Sequence, residues 1–165
     1  MRVVFNHGKE SGPAGGKIRR LSALVSELGH EPVALDYRDL PDDAEARVER
    51  LLAHLAGRAE PAWLVGSSMG AYVALAAAER TAVAGLFLMA PAAYLDGWAV
   101  QDFAPRAPTT IVHGWEDELI PWENALRLAR AVEGDLHLVH ADHRLAAVHE
   151  LLAALLREAL GAAGR

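Results

Sequence analysis

The sequence predicts a single-domain α/β fold with a mostly parallel six-stranded sheet and helices on both of its faces. Three observations predict it. Short, continuously apolar runs alternate with amphipathic helical patterns along almost the whole of the 165 residues. Such unbroken runs belong to strands buried on both sides, because an open antiparallel sheet would alternate apolar with polar. Polar, glycine-containing clusters then follow the ends of the predicted strands, which is where a parallel sheet gathers its ligands. The length suits one domain with a sizeable core and is short for two, so residues 1–165 form one unit.

Residues 2–6 read as the first strand. Ile18, Leu21, Val25 and Leu28 follow at helical spacing, and Gly29 ends that helix by tolerating a left-handed conformation. Residues 32–37 form the second strand. Val48, Leu51, Leu52 and Leu55 mark a helix whose polar face carries Arg47, Glu49 and Arg50. Residues 62–66 form the third strand, followed by a helix that is apolar nearly all round and therefore buried. Residues 83–89, 109–113 and 135–139 complete the strands, with helices over about 121–133 and about 144–160. Residues 91–108 alone break the rhythm: a long loop without a helical pattern, expected over the active-site edge.

The most informative stretch is Gly66-Ser67-Ser68-Met69-Gly70, a Gly-x-Ser-x-Gly pattern between an apolar strand and an apolar helix. A serine on such a strand-to-helix turn is lifted clear of the sheet, and the glycines remove side chains that would collide there. Asp117 and His143 follow in later loops. A serine hydroxyl becomes a good nucleophile when an imidazole takes its proton and a carboxylate orients the imidazole. Ser68, His143 and Asp117 fill those roles. Ser67 reads as a packing residue. Asp142 is the alternative acid, disfavoured because adjacent side chains in an extended loop point apart. The backbone N–H groups of Met69 and Lys9 are the expected oxyanion donors. Tyr94, Trp98 and Phe103, with Trp115 and Trp122 beside Asp117, are candidates to line a shallow apolar pocket or simply to pack beneath the loop.

Other chemistries fit less well. There is no cysteine and hence no disulfide, thiolate metal site or cysteine nucleophile. His7, His113, His140, His143, Asp117 and Asp142 could share one edge, but they lack a recognised metal-binding spacing, so no metal is expected. Gly12, Gly15 and Gly16 match neither a dinucleotide nor a Walker phosphate loop. A net charge of −6 disfavours nucleic acid and anionic membranes as partners. No apolar run is long enough to span a bilayer, and the N-terminus runs straight into a strand pattern without a leader. The expected location is the cytoplasm, and abundant alanine and arginine suggest a bacterial source.

With Asn6-His7-Gly8, the Ser68 turn, His113-Gly114-Trp115-Glu116-Asp117 and Asp142-His143 in place, the chain resembles the α/β-hydrolase superfamily from end to end. It is most similar to the small, lid-less bacterial serine esterases. The nucleophile–acid–base chain order is that of this fold. The resemblance implies a cofactor-free hydrolase of small carboxylic esters or thioesters, working through an acyl-enzyme. The sequence departs from the family pattern in two ways: it has no antiparallel N-terminal hairpin and no helical cap, only the loop 91–108. Acyl transfer to another acceptor, or a non-enzymatic interaction protein keeping the fold, are the alternatives. Oligomeric state is not legible.

Overall fold

Six strands hydrogen-bond into one sheet in the order β2-β1-β3-β4-β5-β6, every pair parallel. The structure is a computed structural model and describes residues 1–162. The strands are β1 (Arg2–Asn6), β2 (Glu31–Leu35), β3 (Trp63–Ser67), β4 (Gly85–Met89), β5 (Thr109–Gly114) and β6 (Asp135–Val139). The helices are α1 (Gly16–Glu27), α2 (Ala44–Leu55), α3 (Met69–Ala78), α4 (Trp122–Val132) and α5 (His149–Ala162). Among the described residues, no helix is long and apolar enough to cross a membrane.

Strand side chains alternate between two apolar layers, as their period of two requires. Val4, Leu64, Leu86, Leu88 and Ile111 face α2, α3 and α4. Val3, Phe5, Trp63, Val65, Phe87, Met89 and Val112 face α1 and α5. Helix α3 is buried on every side, which explains its lack of a polar stripe. Asp43 caps α2 by accepting from the Ala46 N–H at 2.8 Å. Gly29, at φ 77°, ends the α1 segment as the sequence predicts.

The strand order positions the site. The chain moves from β1 outward to β2, then returns to lay β3 on the other side of β1. The crevice beyond the carboxyl ends of β1 and β3 is therefore the switch point at which parallel α/β sheets bind ligands. The loop after Asn6 and the turn at Ser68 both open there.

Three expectations need correction. Arg47 does not sit on the polar face of α2. It is fully buried, because its turn of the helix meets the loops after β1 and β2, whose carbonyls take its donors. The last helix begins at His149 and not near Arg144, since Leu145 adopts a left-handed φ of 56° and a short 3₁₀ turn (Ala146–Val148) intervenes. Phe103 is 3% exposed and packs edge-on against Tyr72 and Tyr94, so it belongs to the core beneath the loop and not to a pocket wall.

Candidate active site

Ser68 connects β3 to α3 with φ 55° and ψ −120°, a backbone strained for any residue with a side chain. The flanking glycines make the turn possible. A Cβ on Gly66 would lie 2.5 Å from the Ala71 Cα, and one on Gly70 would collide with the Asn6 carbonyl. The Ser68 backbone is pinned as well: its N–H donates to Met89 O at 2.9 Å, and its carbonyl accepts from Ala71, Tyr72 and Ala92.

This turn presents the Ser68 hydroxyl to His143. Ser68 Oγ lies 3.0 Å from His143 Nε2, and His143 Nδ1 lies 2.7 Å from Asp117 Oδ2. The three residues come from the ends of β3, β5 and β6. An ionised Asp117 makes His143 Nδ1 the donor, leaving Nε2 to accept from the serine. Asp142, the alternative acid, is exposed and accepts from the Arg144 N–H at 3.1 Å. It makes no bond to His143 among the described residues.

Asp117 is held more firmly than its sequence suggests. Its side chain is fully buried, which by itself would raise its pKa. Hydrogen bonds from His113, His143, Ile120 N–H and Leu119 N–H outweigh that burial and hold the carboxyl well below the usual carboxylate range. His113 is a residue whose role sequence reasoning missed. Its Nε2 lies 3.2 Å from Asp117 Oδ2 and 3.0 Å from Ile120 O, so Nε2 carries the proton and donates. Its position four residues before Asp117 was the available signal.

The loop after β1 is braced from below. Tyr37 N–H donates to His7 Nε2 at 2.9 Å, so His7 must donate from Nδ1 to Gly8 O, at 2.7 Å. Burial lowers the His7 pKa and keeps it neutral. Arg47 donates to Leu40 O at 2.7 Å, His7 O at 3.1 Å, Pro41 O at 3.3 Å and Gly8 O at 3.4 Å. Its guanidinium also lies 5.2 Å from the centre of the Tyr37 ring. The Gly8 carbonyl is thereby turned inward, and in a planar trans peptide the N–H of Lys9 points the opposite way. A Cβ on Gly8 would sit 3.5 Å from Ser68 Cβ, so this peptide passes close to the serine. Met69 is the first residue of α3, where an N–H has no partner within the helix.

A second unforeseen contact involves Ser67. Lys17 Nζ donates to Ser67 Oγ at 3.1 Å. Burial lowers the Lys17 pKa to about 8, with Asp142 acting in the opposite direction.

The aromatic residues divide. Trp98 stacks on Tyr72 with ring centres 4.6 Å apart and helps line a cavity of about 610 Å³ formed with residues 39–45 and Gly97. Ser68, Asp117 and His143 do not line that cavity. Tyr94 packs against Phe103 and under the Arg127 guanidinium. Trp115 and Trp122 meet edge-on, with Trp115 43% exposed. Among the described residues, no group of three or more His, Asp or Glu side chains converges to hold a metal.

The sequence model of the alpha/beta hydrolase family matches residues 4–163. The chain belongs to the α/β hydrolase family. A solved protein of the α/β hydrolase superfamily from Xanthomonas campestris pv. campestris is 32% identical to it, with 98% of each chain covered and a TM-score of 0.91. An α/β serine hydrolase homologue from Coxiella burnetii is 25% identical over 94% of this chain and 84% of its own, with a TM-score of 0.71. Mouse alpha/beta hydrolase domain-containing protein 10 shares the fold at 23% identity, covering 97% of this chain and 89% of its own, TM-score 0.78. No curated protein matches the chain. This α/β hydrolase thus aligns with its Xanthomonas relative over nearly their whole lengths, so the fold accounts for both chains.

Proposed function

We propose that the protein is a serine hydrolase of small carboxylic esters or thioesters. The observation that carries this reading is the double contact of one imidazole, His143, with Ser68 at 3.0 Å and Asp117 at 2.7 Å. Ser68 Oγ attacks the substrate carbonyl while His143 Nε2 takes its proton, and the Asp117 carboxylate stabilises the resulting imidazolium. The backbone N–H groups of Met69 and Lys9 receive the oxyanion, each worth about 3–4 kcal/mol in the transition state. His143 then returns its proton to the leaving oxygen or sulfur, releasing the alcohol or thiol. Water, deprotonated by the same imidazole, attacks the acyl-enzyme, and the acid leaves as Ser68 recovers its proton. No step calls on a cofactor. The partner this reading requires is a small acyl substrate, and a net charge of −6 weighs against nucleic acid and anionic membranes.

The deciding experiment is labelling with a fluorophosphonate probe followed by peptide mapping. The probe should attach at Ser68, and Ser68→Ala should abolish labelling and lower kcat roughly 10⁴- to 10⁶-fold with the melting temperature retained. Attachment at Ser67, or undiminished turnover in the variant, refutes the assignment.

A further inference from the structure

Lys17 has no use in the mechanism above, yet it lies beside it. It stands in the first turn of α1 with its side chain half-buried, and its ammonium reaches across to Ser67 Oγ at 3.1 Å. An ammonium carries three N–H donors. Among the described residues this is its single hydrogen bond, and no carboxylate pairs with it. Asp142 lies near enough to favour its charge without reaching ion-pair distance. Its other two donors meet no protein group among the described residues, and an anion reaching them would gain charge-assisted hydrogen bonds. Ser67, accepting from Lys17, keeps its own O–H free to donate. The result is a set of donors suited to the two oxygens of a carboxylate.

The location says which part of a substrate this set would meet. Ser67 immediately precedes Ser68, and consecutive Cα atoms are ~3.8 Å apart. Asp142 immediately precedes His143, the residue that hands its proton to the leaving group. Lys17 and Ser67 thus stand beside the turn that holds the nucleophile, and the influence of Asp142 on Lys17 places the pair toward the loop that carries His143. A protein of net charge −6 repels anions at long range, so a local cation is what an anionic substrate needs here. We propose that Lys17 and Ser67 bind a carboxylate on the leaving-group portion of the substrate, making the preferred substrates esters or thioesters of an acid-bearing alcohol or thiol. This rests on the serine-hydrolase reading for its reaction, and on the Lys17–Ser67 pair alone for its ligand.

The test compares 4-acetoxybenzoate with its neutral methyl ester, for the wild type, Lys17→Met and Lys17→Arg. The wild type should favour the anion in kcat/KM by about tenfold or more, as a charge-assisted hydrogen bond allows. Lys17→Met should bring that ratio to about one, and Lys17→Arg should restore part of it. A wild type indifferent to the charge overturns the proposal, as does a Lys17→Met variant in which the ratio is unchanged. A third comparison, mono-4-nitrophenyl succinate against 4-nitrophenyl butyrate, places the charge on the acyl side instead. A larger preference there overturns the leaving-group assignment. Binding of 4-hydroxybenzoate and of its methyl ester, followed by NMR titration, needs no turnover. If Ser68 resists the fluorophosphonate and all esters survive, the hydrolase reading fails. Carboxylate binding that disappears in Lys17→Met would still uphold the anion site, and its absence from the wild type would overturn it.

Discussion

Replacing Arg47 by methionine should cost both stability and catalysis, and the size of each effect follows from the contacts. Methionine fills much of the same volume without donors. His7 O then loses its 3.1 Å partner in a buried setting, whereas Gly8 O keeps the 2.7 Å bond from His7. An orphaned buried acceptor costs about 1–3 kcal/mol, and the 2.7 Å bond to Leu40 O, from a charged donor, is worth about 1.5–3 kcal/mol. Relief of the buried guanidinium's desolvation acts in the opposite direction. The net loss should be about 2–4 kcal/mol, a large share of the ~5–15 kcal/mol that holds an ordinary domain folded. For a chain of this size that is a fall in Tm of roughly 5–15 °C. The Gly8–Lys9 peptide would also lose its brace, so kcat for a short ester should fall about tenfold with a smaller change in KM, a fraction of the two to three decades one oxyanion donor supplies. Arg47→Lys should recover less than half of either effect, because one ammonium does not span carbonyls of two loops. Differential scanning calorimetry and steady-state kinetics measure both. A variant melting within 2 °C of the wild type at unchanged kcat would refute the brace.

The remaining predictions concern the acid and the pocket. Asp117→Asn should lower kcat by about 10⁴-fold through loss of imidazole orientation, and Asp142→Asn by far less; the reverse ranking in the same esterase assay would reassign the acid. The Asp117 carboxyl titrates lower in the folded state than unfolded, so the unfolded chain binds more protons below about pH 4. Its contribution to stability is complete above that pH and declines as the pH falls further, and urea titrations from pH 7 to pH 3 should show the decline shrinking in Asp117→Asn. Without a cap to bury a long chain, kcat/KM should peak at acyl lengths of roughly two to six carbons, since each further stretch of apolar surface gains ~25 cal/mol per Å² only where a wall covers it. An optimum at twelve carbons or more across a 4-nitrophenyl ester series would refute the open site.

The sequence by itself indicated most of the elements and the three side chains that the fold brings together at one edge of the sheet. Strands 135–139 and 2–6 lie where their apolar runs stand, and Gly29 ends its helix as its backbone freedom dictates, because hydrophobic period and turn chemistry are local properties. Ser68, Asp117 and His143 were legible for a related reason: each follows a strand, and a parallel sheet brings strand ends to one edge whatever lies between them. What only the tertiary structure decided is where four side chains point, three of them polar. Arg47 has the residue type and helical phase of a solvent-facing charge, but its partners are carbonyls of His7, Gly8, Leu40 and Pro41, which no periodicity records. Ser67 reads as filler until Lys17 reaches it from fifty residues away. His113 and Phe103 likewise take their places from what folds against them: one against Asp117, the other edge-on against Tyr72 and Tyr94. A buried polar group must find a partner or raise the energy of the fold, and that partner is chosen by packing across the sheet, beyond the reach of neighbours in the chain.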